Sequence, residues 1–298
     1  MRSISSIVTV LLVAGSVTVG CGSGSGSGDR KSSDAASNKN TTAATKDSAA
    51  AALVPTEIKS KGTLTVGTEG DYPPGSFVAA DGKTLIGTDI DLSNAIAGVL
   101  GLKAQLQVSK FDTLIPGIQD KRFDMAASGI FDTKEREKVV DFVVYLQTGT
   151  QFYTKSGTSK QYTSLTSLCG ARVAVLSGSV EFTGAQEQKK KCDVKVLSFA
   201  DQNAANLAVS SGRADVGFVD SPLAGYLVKQ SSAQFQLSGE AFGIVPNGLA
   251  VPKGSALAKA VQAAVQILMK NGTYDRILKK WGATSDAVKT VVVNGATN

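Results

Sequence analysis

Arg136 stands within SGIFDTKEREKVVDF (128–142), where Asp132 and, three residues on, Glu135 have the pattern of a capping pair that opens a helix. That pattern puts a guanidinium in the helix's first turn, where aligned amide dipoles already supply about half a positive charge. Such an arginine is either solvated or paired with Asp132 or Glu135, a surface bridge worth about 0 to 1 kcal/mol, or it is placed for an anion. Other polar residues gather at the ends of short β-branched runs: Glu69, Asp71 and Tyr72 after TLTVGT, Ser128 and Gly129 ahead of Arg136, and Ser179 and Asp220 further on. In open α/β sheets, ligands bind beyond the carboxyl ends of strands.

The 298-residue chain has no histidine, which removes Ser-His-Asp and Cys-His chemistry and every zinc site that needs imidazole. Carboxylate pairs and lysine bases remain possible. The balance of 31 Lys+Arg against 25 Asp+Glu leaves only +6, too scattered to indicate nucleic acid, and no reading motif accompanies the single basic run Lys189-Lys190-Lys191. No cofactor and no metal site are expected.

The elements that must position these groups alternate along the chain. TLTVGT (63–68) and KAQLQV (103–108) read as strands. DLSNAIAGVLG (91–101) reads as a helix with Leu92, Ala95, Ile96, Val99 and Leu100 on one face, and FDTLIPGIQDKR (111–122) as a helix capped by Asp112. FDMAASGI (123–130) reads as a strand. A second unit begins after Tyr153: ARVAVLSGS (171–179) as strand, NAANLAVSSG (203–212) as helix, ADVGFVDS (214–221) as strand. GIVPNGLAVPKG (243–254) crosses back to the first unit, which the helices SALAKAVQAAVQILMKNG and TYDRILKKWG complete. This β-α-β alternation predicts mostly parallel sheets with helices on both faces, in two domains able to close on a ligand.

The first 20 residues read as a signal peptide: Arg2, the apolar run Ile7–Ala14, then Val19-Gly20-Cys21. The run is too short to span a bilayer, which needs about 20 residues. Cys21 after glycine resembles a bacterial lipobox, with Thr18 where a large aliphatic residue is usual, so lipidation is expected at Cys21. Residues 21–52 are then the lipidated cysteine and a disordered tether, since Gly, Ser, Thr and Ala offer almost no large apolar side chain to bury. Export places the remaining cysteines, Cys169 and Cys192, in an oxidising compartment where a disulfide is expected.

GTLTVGTEGDYPP, GTDIDLSNAIAGVLG, FDTLIPGIQDKRFDM, SGIFDTKEREKVVDF, SGRADVGFVDSPLAGY and NGTYDRILKKWG together resemble the extracellular solute-binding proteins of amino-acid ABC transporters, family 3, over residues 57–283. The cysteine placement is similar to that in lipoproteins of this family. The resemblance implies a two-lobed, periplasmic-binding-protein-like fold of type II, each lobe a mostly parallel sheet, with two crossover strands as hinge. One lobe would comprise 53–152 plus 250–298 and the other 153–249. It further implies a membrane-tethered extracytoplasmic monomer that binds an L-amino acid, polar or cationic, and delivers it to the permease subunits of an ABC transporter, with no catalysis.

By the same resemblance, Arg136 forks onto the ligand's α-carboxylate, joined by backbone N–H groups at Thr133 and by Ser179. Asp220 takes the α-ammonium, with Gly129 or Ser128. Tyr72 and Phe111 flank the ligand side chain, and Glu69 faces it, favouring a cation or an amide donor. Phe131 stands where relatives carry a hydroxyl, so only its backbone N–H serves. Gly75 and Thr88 also replace aromatics that the family's motifs usually carry, which alters the pocket's shape. Two other functions share the fold: a secreted cyclohexadienyl dehydratase, with Glu69 or Glu181 as general acid, and a sensory domain.

Overall fold

The structure is a computed structural model that describes residues 44–297. The signal segment, Cys21 and the tether up to residue 43 lie outside the described residues. From residue 44 the chain departs from the tether expected on composition. Asp47 caps helix α1 (Ser48–Ala52), its side chain accepting from the Ala50 amide at 2.9 Å, and Ala50 and Ala51 are buried. An alanine run lacks large apolar groups, but it has the highest helix propensity and loses no side-chain entropy. The Asp47 amide also bonds Val99 O at 2.9 Å, docking this turn on the first lobe.

Helix α2 (Thr56–Lys61) leads through Gly62, left-handed at φ 70, into β1 (Thr63–Thr68). A small antiparallel sheet follows, β2 (Asp71–Tyr72), β3 (Ser76–Val78) and β4 (Leu85–Ile86). Then come α3 (Thr88–Val99), β5 (Lys103–Val108), α4 (Leu114–Gln119), β6 (Met125–Ala126) and the one-turn helix α5 (Lys134–Glu137). Strand β7 (Val140–Lys155) carries the chain into the second lobe, built from β8 (Arg172–Leu176), α6 (Val180–Lys189), β9 (Lys195–Phe199), α7 (Gln202–Ser210), β10 (Val216–Asp220) and α8 (Ser221–Gln230). Strand β11 (Phe235–Pro252) returns to the first lobe, which α9 (Leu257–Lys270) and α10 (Thr273–Trp281) complete.

The main sheet has the order β5-β1-β6-β11-β7-β10-β8-β9. At one end β5, β1 and β6 are parallel, at the other β10, β8 and β9, so each lobe is a parallel triplet joined to the same antiparallel ribbon. That ribbon is β7 paired with β11 from Val140↔Pro252 to Lys155↔Phe235, with register shifts between Ser238 and Phe242, Phe242 and Val245, and Asn247 and Gly248. Such irregularities interrupt the ladder and let paired strands bend, which suits a hinge. The two crossover strands expected from the sequence are these two. The ribbon is longer than 243–254, and 140–155 carries no period-2 signal because almost all of β7 is buried on both faces.

Helix α3 begins at Thr88, three residues before the sequence period suggests, at the sharp turn of Gly87. The first lobe's core packs Leu64, Ile96, Met125, Tyr145, Leu249 and Val265. The second packs around Tyr153, Leu176, Val209 and Leu223 on one face of its sheet and around Phe152, Val173 and Phe218 on the other. Cys169 and Cys192 form the expected disulfide, across a separation of 23 residues. Beyond α10 the chain folds back over the first lobe, the Val144 amide bonding Val292 O at 3.0 Å. Among the described residues, no helix is long and apolar enough to cross a membrane.

Candidate functional site

Arg136 is presented by α5, but not through the cap that the sequence suggests. Thr133, extended at φ −126 and ψ 150, is the N-cap, and its Oγ1 accepts from the Arg136 amide at 3.2 Å. Asp132 instead turns away: its Oδ2 accepts from the Gly295 amide at 2.7 Å, while Glu137 Oε1 accepts from the Ala296 amide at 3.1 Å. The C-terminal segment therefore straps the helix that carries the guanidinium. Burial and the neighbouring Glu137 push the Asp132 carboxyl up to about 6.

The guanidinium reaches both lobes. Nη1 donates to Phe131 O at 2.8 Å and Nη2 to Gly178 O of the second lobe at 3.0 Å, with the Phe111 ring 5.6 Å from the guanidinium carbon. Phe111 thus packs on the arginine as well as facing the cleft. Burial lowers the Arg136 pKa, opposed by Glu181, Asp220 and Asp132, and at any physiological pH the group stays charged.

Around it, Tyr72, Phe111, Gly129, Phe131, Leu176, Ser179, Val180, Glu181 and Asp220 line one inter-lobe cavity with about 10 Å³ of free space, roughly one water's worth. Anything larger than a water enters only when the lobes separate. Ser179 caps α6 by accepting from the Phe182 amide at 3.0 Å, which aims the helix start, with Glu181 in its first turn, at the cavity. Asp220 closes β10, and a Cβ built on Gly129 would lie 3.2 Å from its Oδ2. Gly129 adopts φ 57, so glycine both permits that turn and leaves the approach open.

Gly129 is held by the hinge and by α3. Its amide donates to Asp89 Oδ2 at 2.9 Å, its carbonyl accepts from Asn247 Nδ2 at 3.0 Å, and Thr148 Oγ1 donates to Asn247 Oδ1 at 2.6 Å. Tyr145 donates its hydroxyl to Asp89, which burial pushes upward in pKa. None of Asp89, Asn247 and Thr148 is singled out by the sequence, because nothing local marks a residue that acts through a distant turn.

Three residues expected in the site do not line the cavity: Thr133, which caps α5, and Glu69 and Ser128, which lie one layer back. Glu69 is 2% exposed and does not line the cavity. It accepts from Ser128 Oγ at 3.1 Å, and Ser128 in turn accepts from the Glu69 amide at 3.2 Å and contacts Ser76 Oγ at 3.3 Å. Burial, reinforced by Asp71, pushes the Glu69 carboxyl up to about 8. Asp220 is also driven well above the usual carboxylate range, first by burial and then by Glu181, against the opposing pull of Tyr72 and Arg136. Leu176 and Val180 line the cavity without having been assigned to it, and Glu181, which the sequence offers only as a general acid of the dehydratase alternative, lines it too. The signal that could have found them was the small-residue turn at Ser179, which orients its neighbours on either side.

Asp112 does not cap a helix. It lies in a 3-10 turn, Phe111–Thr113, and its Oδ2 accepts from Ser177 Oγ of the second lobe at 3.0 Å. The same rim carries Asp71, whose Oδ2 accepts from the Gln202 and Asn203 amides at 2.9 and 3.2 Å at the start of α7, and Lys110, 3.6 Å from Asp201. Among the described residues no cluster of three or more His, Cys, Asp or Glu is placed to hold a metal ion.

Two α/β lobes on a shared antiparallel ribbon, with a guanidinium and two acids converging in the cleft, define an amino-acid-binding receptor of the two-lobed kind. An ancestral arginine-binding protein, solved with arginine bound, superposes with a TM-score of 0.71 at 38% identity, covering 74% of this chain and 98% of that one. Residues 64–284 match the model of the bacterial extracellular solute-binding proteins, family 3, and the chain belongs to that family. The arginine-binding protein ArgT of Corynebacterium glutamicum is 31% identical over 250 residues, 82% of each chain. The L-cystine-binding protein TcyJ of Escherichia coli K12 is 33% identical over 227 residues, 76% of this chain and 84% of that protein.

Proposed function

We propose that this protein captures a cationic or polar L-amino acid between its lobes, holds it without chemical conversion, and delivers it to the permease of an ABC transporter. The observation that carries this reading is the placement of Arg136 and Asp220 in one cavity from opposite lobes. A zwitterion presents an anion and a cation on adjacent atoms, and this site offers one partner for each. The fork of Arg136 suits a carboxylate bidentately, and the ligand's oxygens would take over from the Phe131 and Gly178 carbonyls as acceptors. Ser179, Gly129 and Phe131 line the same cavity, and the Thr133 N–H at the start of α5 would join them on the carboxylate. Tyr72 and Phe111 flank the side chain, and Glu69, held one layer behind through Ser128, favours a guanidinium or an amide there.

Relatives that bind arginine and cystine support an amino-acid ligand, and the surplus of acids over cations favours a basic one. The lipobox-like Cys21 supports tethering at the outer face of the membrane, and the division into 53–152 plus 250–298 and 153–249 is kept with α1 added to the first lobe. Calorimetric titration of the purified protein, first unfolded and refolded to strip carried-over ligand, against L-arginine, L-ornithine, L-glutamine and L-cystine tests this reading. Tight binding of at least one supports it; failure of all of them, with turnover of prephenate or arogenate instead, replaces the receptor with a dehydratase.

A further inference from the structure

The cavity holds one acid more than a zwitterion requires. Glu181, 2% exposed, lines it beside Asp220, 5% exposed, and Glu181 Oε1 has no hydrogen-bond partner. The two buried carboxyls line one small cavity, and burial followed by the charge of Glu181 raises Asp220, so the pair keeps one proton because two such neighbours cannot both ionise out of water. The groups facing the pair come from every neighbouring element: Arg136 from α5, the Tyr72 hydroxyl from β2, and Ser179 with the Glu181 amide from the start of α6. Glu69 lies near Tyr72, in the company of Asp71, Lys110 and Asp112. Burial raises both members of the pair, so the proton is retained where an exposed carboxylate would lose it.

Arg136 contributes +1 and the singly protonated pair −1, so the closed site is neutral, as a desolvated site must nearly be. A ligand of net charge +1, with both carboxyls ionised, restores the same neutrality. A neutral zwitterion does so only if the proton stays.

We propose that Glu181 and Asp220 form a two-carboxyl cation receptor, in which a cationic amino acid expels the proton that the pair shares while a neutral amino acid leaves it in place. This deepens the receptor reading and rests on it. The only covalent change is the carboxyl O–H bond, whose proton passes to buffer as the ligand enters. Affinity for a cationic ligand then rises with pH across the range where the ligand-free pair keeps its proton, by at most tenfold per pH unit, and affinity for its neutral isostere stays flat.

Arginine and citrulline, nearly isosteric and differing by one charge, provide the test. Titrating each at about pH 6 into the purified protein, in buffers of different ionisation enthalpy, counts protons released per ligand bound. Because Glu69 also carries a proton at that pH, the titrations are repeated in Glu69→Gln and in Glu69→Gln/Glu181→Gln. The expected result is release of about one proton with arginine and about none with citrulline in Glu69→Gln. Adding Glu181→Gln removes the release and lowers arginine affinity, so arginine is raised until binding saturates before protons are counted. Equal release for arginine and citrulline, or release unaffected by Glu181→Gln, overturns the proposal and leaves the receptor standing. Absence of binding by every amino acid in the wild-type protein overturns both.

Discussion

Arg136 of the first lobe and Gly178 of the second are joined by a hydrogen bond from Nη2 to the carbonyl oxygen at 3.0 Å. The cation proposed to recognise the ligand's carboxylate is thus also a strut between the lobes. Gly178 sits at φ 76, and a Cβ there would fall 2.8 Å from that of Asp112, so the turn can come this close only because it is glycine.

Replacing Arg136 by Ala is expected to raise Kd at least a hundredfold, since removing one partner of a buried charge pair costs about 3–5 kcal/mol. Arg136→Lys should recover only part of that, because an ammonium cannot make the planar two-point contact. Titration calorimetry on the three proteins, with circular dichroism to verify folding, measures both effects. Wild-type affinity in Arg136→Ala would remove Arg136 from the site.

Asp71 is expected to act on closure rather than on contact with the ligand. Its carboxylate accepts two amides at the start of α7 in the opposite lobe, and Asp71→Ala should weaken the closed form by about 1–2 kcal/mol. Stopped-flow measurement should then show the dissociation rate rising roughly 5- to 30-fold with the association rate little changed. An unchanged dissociation rate would show that this rim does not hold the lobes together.

Glu69 makes stability depend on pH. Its folded-state pKa, about 8, lies above the ordinary 4.5, so the folded protein holds a proton that the unfolded chain has lost between those values. Stability from this group is full below about pH 4.5 and declines as pH rises through about 8. Glu69→Gln keeps the Ser128 contact without the charge, so the variant and the wild type should melt alike near pH 5. The variant should be the more stable by a few kcal/mol near pH 9. Parallel melting curves at every pH would show that Glu69 ionises freely.

The C-terminal strap is expected to position α5. Gly295 and Ala296 amides hold Asp132 and Glu137, and Asn294 Oδ1 accepts from the Phe142 amide at 2.9 Å. Deleting residues 294–298 should lower the melting temperature by several degrees and weaken amino-acid binding about tenfold, through a looser Arg136. Loss of stability with binding intact would make the strap purely structural.

Much of the architecture was legible because the relevant signals are local. Strands 63–68 and 103–108 match β1 and β5 at both ends, and α7, β10, α9 and α10 fall within a few residues of the apolar periods that mark them. The failures are equally physical. Asp112 and Asp132 have the chemistry of caps, but each is taken by a partner remote in sequence, Ser177 and Gly295. A local pattern cannot see such competitors. Strand β7 hides because burial on both faces erases alternation, and α1 because four alanines look like linker until a surface is present for them to pack on. In the site, Arg136 and Asp220 stand out by charge at strand and helix ends. Glu181, two residues past a cap, is visible as an acid but gains its meaning only from the opposing Asp220.

Thermal unfolding with added ligand asks whether Arg136 and Asp220 hold an amino-acid zwitterion between two closing lobes. Ligand at 100 times its Kd should stabilise the folded state by about 2.7 kcal/mol, a rise of several degrees for a protein of this size. A rise with L-arginine or a related amino acid in the refolded wild type, lost in Arg136→Ala and in Asp220→Ala, is the predicted result. No rise with any amino acid, or an equal rise in those two variants, would contradict it.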